Sequence, residues 1–137
     1  MTKAIICDID GTISIMGDRG PFDYEKCHLD TLNEPIGKLV RILGKEYLII
    51  FVSGREETCR KQTWEFIKKH FGDMPHHLYM RTAKDYRKDS IVKKEIYENL
   101  IKDHYDIEFV IDDRNQVVDM WRKELNLTCL QVNYGDF

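Results

Sequence analysis

Short apolar runs alternate with stretches of helical periodicity along the chain. The continuous run YLIIFV at residues 47–52 is typical of a strand that is covered on both faces of a sheet. Apolar side chains that recur three and four residues apart are typical of amphipathic helices. The pattern predicts strands at residues 3–9, 47–52, 78–80, 107–111 and 128–132, and helices at residues 32–43, 64–71, 90–104 and 117–125.

This alternation of strands and helices predicts an α/β fold. We expect an open, mostly parallel five-stranded sheet with helices on both of its faces. The 137 residues, of which 42% are apolar, fit a single domain, 1–137, with one core. Trp64 and Trp121 lie on apolar helix stripes, so we expect both side chains in that core.

Charge and cysteine content narrow the class of protein. A formal net charge of −3 argues against a protein that coats nucleic acid by bulk charge, so any such contact has to be local. The sequence contains neither a signal peptide nor a long apolar segment. We expect a cytoplasmic protein without membrane contact, whose four cysteines are reduced thiols: Cys7, Cys27, Cys59 and Cys129.

Polar side chains follow three of the predicted strands at the point where each strand ends. The first strand leads into CDIDGT with Asp8 and Asp10, the second into Ser53-Gly54-Arg55, and the fourth into Asp112 and Asp113. The carboxyl ends of parallel strands meet at one edge of a sheet, where ligands bind. Four carboxylates gathered there repel one another unless a cation neutralises them, and oxygen ligands suit Mg²⁺.

A carboxylate beside Mg²⁺ is suited to phosphoryl chemistry. Asp8 can attack phosphorus and form an aspartyl-phosphate, while Asp10 can protonate the leaving oxygen and then activate water. Gly11 allows the chain to turn sharply enough for both side chains to face one cleft. The residues alone therefore point to a phosphotransferase or a phosphatase.

The motifs resemble those of a known superfamily. DIDGT, a serine at the end of the second strand, a downstream helical lysine and IDD are similar to the four motifs of the haloacid dehalogenase phosphotransferases. The longer blocks DRGPFDYEKC, SGR, RKDSIVKKEI, IDDRNQVVDMWR and GDF resemble the 3′-phosphatase domain of phage-type polynucleotide kinase–phosphatases. The resemblance implies a haloacid dehalogenase-like Rossmannoid fold without a large cap domain.

The resemblance also implies roles for individual residues. Asp8 resembles the nucleophile, and Asp10 resembles the general acid–base, with its backbone carbonyl on Mg²⁺. Ser53 would bind the phosphoryl oxygens, and Lys93 would offset their charge. Metal binding would fall to Asp8, Asp10, Asp112 and Asp113, and substrate binding to Thr12, Arg19, Gly54, Arg55 and Asp89, of which Asp89 would orient Lys93 or an arginine.

Simpler interpretations exist for most of these residues. Asp8 and Asp10 could cap a turn without any catalytic role, and Arg19 and Arg55 could be ordinary surface arginines. Local patterns also fit two helix-capping boxes, Ser53 with Glu56 and Asp113 with Gln116, either alone or together with a catalytic role. Lys88 is an alternative for the lysine role, whereas Lys94 is expected in a solvated ion pair with Glu98. The run Arg81, Lys84, Arg87 and Lys88 could be a charged loop or a groove for a nucleic-acid backbone.

The spacing of the elements bears on the substrate. The gap at residues 11–30 is short for a cap domain, so we expect an open site that accepts a polymer end. The expected activity is Mg²⁺-dependent removal of 3′-phosphates from DNA, RNA or nucleotide ends, in nucleic-acid end repair. Two alternatives remain: a phosphatase of mononucleotides or sugar phosphates, and a non-catalytic module that binds nucleic-acid ends.

The sequence limits the further activities and partners. It contains no Gly-x-x-x-x-Gly-Lys-Ser/Thr motif, so no 5′-kinase activity is expected of this chain, and a separate kinase or ligase partner is considered. The chain could be free-standing or part of a longer protein. Its oligomeric state is not determined by the sequence, and a homodimer is one option.

Overall fold

The chain folds around a central sheet of parallel strands. A computed structural model describes residues 1–17, 27 and 30–137. The strands are β1 (Thr2–Cys7), β2 (Ser14–Ile15), β3 (Thr31–Leu32), β4 (Leu48–Glu56), β5 (His76–Arg81), β6 (Tyr105–Asp112) and β7 (Cys129–Gln131). The α-helices are α1 (Glu34–Leu43), α2 (Arg60–Phe71), α3 (Asp89–Ile96) and α4 (Asn115–Asp119).

Five of these strands, within the described residues, form a sheet in the order β5-β4-β1-β6-β7. Every neighbouring pair in this sheet is parallel, which confirms the predicted α/β fold. Strand β1 lies at the centre, because the chain builds β4 and β5 on one side and then crosses to β6 and β7 on the other. Such a crossover opens a crevice at the carboxyl end of the central strand, which is where Asp8 follows Cys7.

Alternate residues of the central strands face two separate hydrophobic cores. Ile5 and Phe51 belong to the core on one face, and Ile6 and Val52 to the core on the other. Trp121 is fully buried in the second core, as predicted. Trp64 is 39% exposed and lies against the His76 ring at 5.0 Å, so the prediction of a core position is wrong for this side chain.

The ends of several elements differ from the prediction. Strand β1 ends at Cys7 rather than residue 9, and β4 continues to Glu56 because it pairs with β5 as far as Arg81. Helices α3 and α4 each continue into a π-helical turn, at Tyr97–Ile101 and Met120–Glu124. These turns extend both helices close to their predicted ends.

Between β1 and α1 the described residues contain only a short antiparallel ribbon of β2 and β3. This agrees with the expectation that no large cap domain covers the sheet edge. No helix in the described part of the chain is both long and apolar enough to cross a membrane. All four cysteines are described and free, which confirms that none is paired in a disulfide.

Candidate active site

Two aspartates follow the end of β1 and precede a tight turn. The backbone N–H of Asp8 donates to the carbonyl of Ile111 at 2.9 Å, which continues the β1–β6 ladder by one residue. The chain then turns at Gly11, whose φ of 78° lies in the left-handed region that glycine adopts at no steric cost. The Asp8 side chain is buried, whereas the Asp10 side chain is 40% exposed.

Lys93 provides the positive charge beneath Asp8. It lies on α3, is 1% exposed, and its Nζ donates to Asp8 Oδ1 at 2.7 Å and to Asp112 Oδ2 at 3.2 Å. Burial alone would lower the pKa of this ammonium, but Asp112 and Asp8 outweigh burial and raise that pKa well above its usual value. The lysine is therefore held in its charged form.

The neighbouring lysines lie elsewhere. Lys88 precedes the first residue of α3 and is exposed. Lys94 forms a surface ion pair at 3.0 Å, but with Glu124 of the π-helical turn rather than with the expected Glu98. The structure thus places Lys93, and neither of the other two, against the carboxylates.

Three carboxylates form a compact acidic cluster at the crevice. Carboxylate oxygens of Asp8, Asp112 and Asp113 all lie within 4.8 Å of one another, and the three residues are at most 5% exposed. Burial, followed by the charge of Asp112, raises the pKa of the Asp8 carboxyl well above its ordinary value despite Lys93. Burial also raises the pKa of Asp113. A cluster of buried carboxylate oxygens is a suitable site for a hard divalent cation such as Mg²⁺, because the cation offsets the repulsion between the negative charges.

The two carboxylates of the β6 end differ in how protein donors occupy them. Asp112 Oδ1 accepts the backbone N–H of Asp113 at 2.8 Å, and Asp112 Oδ2 accepts the Trp121 indole N–H at 3.1 Å in addition to Lys93. Asp113 Oδ1 contacts the Thr12 hydroxyl at 3.5 Å, which is longer than the hydrogen bonds that Asp112 accepts. Asp112 is therefore the more firmly held of the pair.

Asp10 is held by a buried arginine. Arg55 Nε and Nη2 donate to the two oxygens of Asp10 at 3.0 and 2.7 Å, and Nη2 also donates to Asp30 Oδ2 at 2.8 Å. The arginine is 1% exposed, and its Nη1 donates to the hydroxyl of Thr63 at 3.1 Å. Burial would lower the pKa of Arg55, but the bond to Asp10 reverses that effect and raises it. The surface-arginine interpretation of Arg55 is wrong, and its contact with substrate stays a prediction.

Both predicted capping boxes are wrong. Ser53 lies inside β4, and its hydroxyl accepts the backbone N–H of Arg55 at 3.1 Å. Because β4 continues to Glu56 and a 3₁₀ turn follows at Glu57–Cys59, α2 begins only at Arg60. No helix N-terminus therefore lies at Ser53.

The second box fails in a similar way. Helix α4 begins at Asn115, after an N-cap position occupied by Arg114 without a side-chain cap bond. Asp113 therefore does not cap this helix, and its carboxylate faces the crevice with Asp8.

The remaining predicted residues lie around the same centre. The Thr12 hydroxyl donates to Asp8 Oδ2 at 3.0 Å. Asp89 lies 3.6 Å from Lys93 Nζ, 3.4 Å from Arg81 and 3.9 Å from Arg114. Gly54 allows this approach, because a Cβ at that position would lie 2.1 Å from Asp89 Oδ1. The roles of Thr12, Gly54 and Asp89 towards a substrate stay predictions, and Arg19 lies outside the described residues.

Asp30 and Thr63 are site residues that the sequence did not reveal. The Asp30 side chain is fully buried, and its second oxygen accepts the backbone N–H of Gly17 at 3.1 Å. Asp30 belongs to the weakly patterned stretch before α1, and Thr63 lies on an otherwise ordinary helix. Neither residue carries a local signal for its contact with Arg55, because that contact depends on the tertiary fold.

One cavity of about 360 Å³ collects most of these groups. Of the predicted residues it exposes Asp8, Asp10, Gly54, Asp89, Asp112 and Asp113, while Ser53 and Lys93 do not line it. Its lining also includes Arg81 of the predicted charged run and five residues for which the sequence predicted no role: Met16, Arg114, Asn133, Tyr134 and Phe137. The cavity is thus acidic at its floor and carries arginine and aromatic side chains at its edge.

The charged loop after β5 is largely self-paired. Arg81 donates to the carbonyl oxygens of Gly54 and Asp85 at 2.8 and 2.9 Å, and Arg87 pairs with Asp85 at 2.7 Å. This arrangement supports the interpretation of these two arginines as residues that hold the loop. A groove for nucleic acid along the loop stays a prediction.

Replacing Gly11 with alanine is expected to reduce the stability of the folded chain. The φ of 78° disfavours any L side chain by about 1–2 kcal/mol, and the new Cβ would lie 2.1 Å from Asp113 Oδ2. Chemical denaturation measures the loss of stability. Gly44→Ala is the control, since its φ is −64° and its closest neighbour is the flexible Met74 side chain. Equal stability of the Gly11→Ala variant and the wild type contradicts this account of the turn.

Comparison with known proteins agrees with this geometry. The family model for the polynucleotide kinase PNKP phosphatase domain matches residues 2–137. A protein of Autographa californica nuclear polyhedrosis virus, assigned as a bifunctional polynucleotide kinase/RNA ligase, is 32% identical over 123 residues. That match covers 88% of this chain and 18% of the viral protein.

Two solved structures are similar over the whole fold. Chains from a Pnkp1/Rnl/Hen1 complex and from a Pnkp1/Rnl/Hen1 RNA repair complex superpose with TM-scores of 0.92, at 47% and 48% identity. They cover 100% and 99% of this chain, which in turn spans 48% and 44% of theirs. The family match, the viral relative and the shared fold together show that this chain belongs to the polynucleotide kinase PNKP phosphatase domain family, of the haloacid dehalogenase type.

Proposed function

We propose that this chain is a Mg²⁺-dependent phosphatase that removes 3′-phosphates from RNA ends through a phosphorylated Asp8. The observation that carries the proposal is Lys93, a buried ammonium that bridges Asp8 and Asp112 from behind, while both carboxylates line an open cavity. Membership of the family supports phosphatase activity. RNA is favoured over DNA because the relatives include an RNA repair complex and a kinase/RNA ligase.

The carboxylate oxygens of Asp8 and Asp113, with the backbone carbonyl of Asp10, are the proposed metal ligands. We assign Asp113 as the direct ligand because protein donors occupy both oxygens of Asp112. Asp112 would instead orient the neighbouring ligands through these hydrogen bonds. Mg²⁺ bound there supplies positive charge that offsets the charge on the phosphoryl oxygens.

The side chains divide the reaction into two displacements. Asp8 attacks phosphorus, the bond from phosphorus to the 3′ oxygen breaks, and Asp10 gives a proton to the departing oxygen. Asp10 then takes a proton from a water molecule that attacks phosphorus, which releases phosphate and restores Asp8. Lys93 offsets the charge that develops beside Asp8, and Ser53 is the proposed donor to the phosphoryl oxygens.

Arg55 prepares Asp10 for both transfers. Its two hydrogen bonds fix the Asp10 carboxylate at the edge of the cavity, and Asp30 and Thr63 fix the guanidinium in turn. Because the Asp10 carboxylate is already held in place, less entropy is lost when the reacting groups align. Arg55 is thus a positioning residue in this proposal, and Asp10 is the residue that touches the leaving oxygen.

The similarity to longer proteins suggests which activities accompany this domain. This chain spans less than half of the matched chains from the two Pnkp1/Rnl/Hen1 complexes and about one fifth of the viral kinase/ligase. We propose that the phosphatase works beside a 5′-kinase and an RNA ligase, in one polypeptide or in one complex. Removal of a 3′-phosphate leaves the 3′-hydroxyl that a ligase needs.

Phosphate release from matched substrates tests the proposed function. The panel comprises oligonucleotides ending in a 3′-phosphate, as RNA and as DNA, a 2′,3′-cyclic RNA end, and a 5′-mononucleotide, each with and without Mg²⁺. We expect the fastest release from the RNA 3′-phosphate and no release without Mg²⁺. Preference for the 5′-mononucleotide supports a small-molecule phosphatase instead, and tight end binding without release supports a non-catalytic module.

Mg²⁺ is also expected to stabilise the folded chain, and more strongly at about pH 8 than at about pH 5. Burial raises the pKa of Asp8 and of Asp113, so protons compete with the metal as the pH falls. At one hundred times its Kd the ion adds about 2.7 kcal/mol, which a thermal-shift assay detects as a higher unfolding temperature. Asp113→Asn should remove most of the shift, whereas Asp119→Asn, at an exposed pair with Lys123, should keep it. An equal shift at both pH values contradicts this assignment.

A further inference from the structure

The tail after β7 brings two exposed aromatic rings to the edge of the catalytic cavity. Tyr134 is 80% exposed and Phe137 is 65% exposed, and both line the cavity whose floor holds Asp8 and Asp113. Single exposed apolar side chains are common on protein surfaces. Two exposed aromatic rings that line one catalytic cavity are less common, and a ligand bound in that cavity could contact both rings.

The tail is fixed against the residues that form the acidic cluster. Val132 N–H donates to the carbonyl of Asp112 at 3.1 Å, and Asn115 N–H donates to the carbonyl of Gly135 at 2.8 Å. Gly135 packs so closely against the backbone of Asp113 that a Cβ at position 135 would lie 2.1 Å from the Asp113 carbonyl oxygen. The position of the two rings relative to the carboxylates is therefore built into the fold.

Arg114 adds positive charge to this wall. Its guanidinium carbon lies 4.8 Å from the centre of the Phe137 ring, and its Nε donates to the Phe137 backbone oxygen at 2.8 Å. The Tyr134 hydroxyl contacts Asp136 at 3.3 Å, and both residues are exposed. The wall thus offers two π faces and one cation beside the phosphoryl-transfer centre.

We propose that Tyr134 and Phe137 form a stacking surface for the base of the 3′-terminal nucleotide. The inference rests on the proposed function, since a base attached to the sugar whose 3′-phosphate reaches Asp8 must lie close to the cavity wall. Aromatic rings bind any of the four bases through their π faces, and a sugar phosphate without a base gains nothing from them. The surface therefore selects nucleotides over other phosphate esters without selecting a sequence.

Charge favours this occupant over a protein segment. In the proposed function the acidic part of the cavity takes a phosphate ester, and Arg114 and Arg81 line the same cavity as the two rings. A nucleotide supplies both the anionic and the flat aromatic part that these two regions complement. A partner protein seated on the rings is the competing occupant and is an outcome of the test below.

The test compares kcat/KM on a nucleoside 3′-monophosphate with kcat/KM on ribose 3-phosphate, which lacks the base. We expect the wild type to prefer the nucleotide by about 5- to 100-fold, the range typical of base–aromatic stacking. Tyr134→Ala should lower this ratio towards one, mainly through KM, and Tyr134→Phe should preserve it. Tyr86→Ala is the matched control, because Tyr86 is 84% exposed but does not line this cavity.

A binding measurement separates this inference from the proposed function. Asp8→Asn protein is mixed with an RNA 3′-phosphate that carries 2-aminopurine at its last position, and stacking should quench the fluorescence. The double variant Asp8→Asn/Tyr134→Ala should show no quenching, whether or not the wild type releases phosphate. If the wild type releases no phosphate while the Asp8→Asn protein still shows quenching, the proposed function alone is overturned. An unchanged substrate ratio and unchanged quenching in Tyr134→Ala overturn the stacking surface and leave a protein-docking role for the rings.

Discussion

Replacing Asp8 with asparagine is expected to lower the rate of phosphate release by on the order of 10⁴-fold or more, because the amide cannot attack phosphorus. No other carboxylate in the described cluster can take over this role. Asp112 is held by Lys93, Trp121 and its own loop, and Asp113 is the proposed metal ligand. Steady-state release from an RNA 3′-phosphate measures the effect, with Asp119→Asn as the surface control.

The Asp8→Asn variant is expected to fold at least as stably as the wild type when Mg²⁺ is absent. The raised pKa of Asp8 means that its ionised form costs folding free energy above the ordinary pKa of an aspartate, a cost that the amide removes. The difference in free energy of unfolding should therefore shrink as the pH falls towards the ordinary aspartate range. Near-normal turnover in a well-folded variant contradicts the role of Asp8.

The second large effect is expected for Lys93→Met. Methionine fills a similar volume but leaves Asp8 and Asp112 buried without their cation, and breaking a buried pair of this kind costs about 3–5 kcal/mol. The loss of positive charge beside the nucleophile should lower kcat by about 10²- to 10³-fold. Mg²⁺ should restore part of the stability, because it would bring positive charge back to Asp8 and to the neighbourhood of Asp112, but it should not restore the rate.

Lys94→Met is the matched control on the next residue of the same helix. Lys94 pairs with Glu124 at the surface, where an ion pair contributes at most about 1 kcal/mol. Denaturation and turnover of the two variants, measured side by side, separate the buried lysine from its neighbour. Similar losses in both variants contradict the assignment of Lys93.

The sequence predicted the centre of the site because topology brings it together. Asp8 and Asp112 follow neighbouring parallel strands, so their meeting needs only the alternation of strands and helices. Lys93 could be chosen over Lys94 because it flanks the apolar face of α3, whose stripe points towards the sheet. Hydrophobic periodicity therefore carried the information for these contacts.

The remainder depends on contacts that local patterns do not encode. Ser53 fits a capping box by its neighbours, yet the pairing of β4 with β5 keeps the chain extended there and delays the helix to Arg60. Asp30 meets Arg55 across a stretch with no periodicity, and the tail with Tyr134 carries no helical or strand pattern. Tertiary packing decides each of these positions.

Chemical trapping of the phosphorylated enzyme tests the central claim most directly. RNA carrying a ³²P-labelled 3′-phosphate is mixed with enzyme and Mg²⁺ and quenched in acid after a short time. Asp10→Asn enzyme is included because the loss of the water-activating group should prolong the intermediate. Reduction with borohydride then converts an acyl phosphate into homoserine, which peptide mass spectrometry locates in the sequence.

We predict label on the protein and homoserine at position 8, both absent from the Asp8→Asn variant. Rapid phosphate release at every quench time, without label on the protein or with label on another residue, would contradict the proposal that Asp8 is the nucleophile.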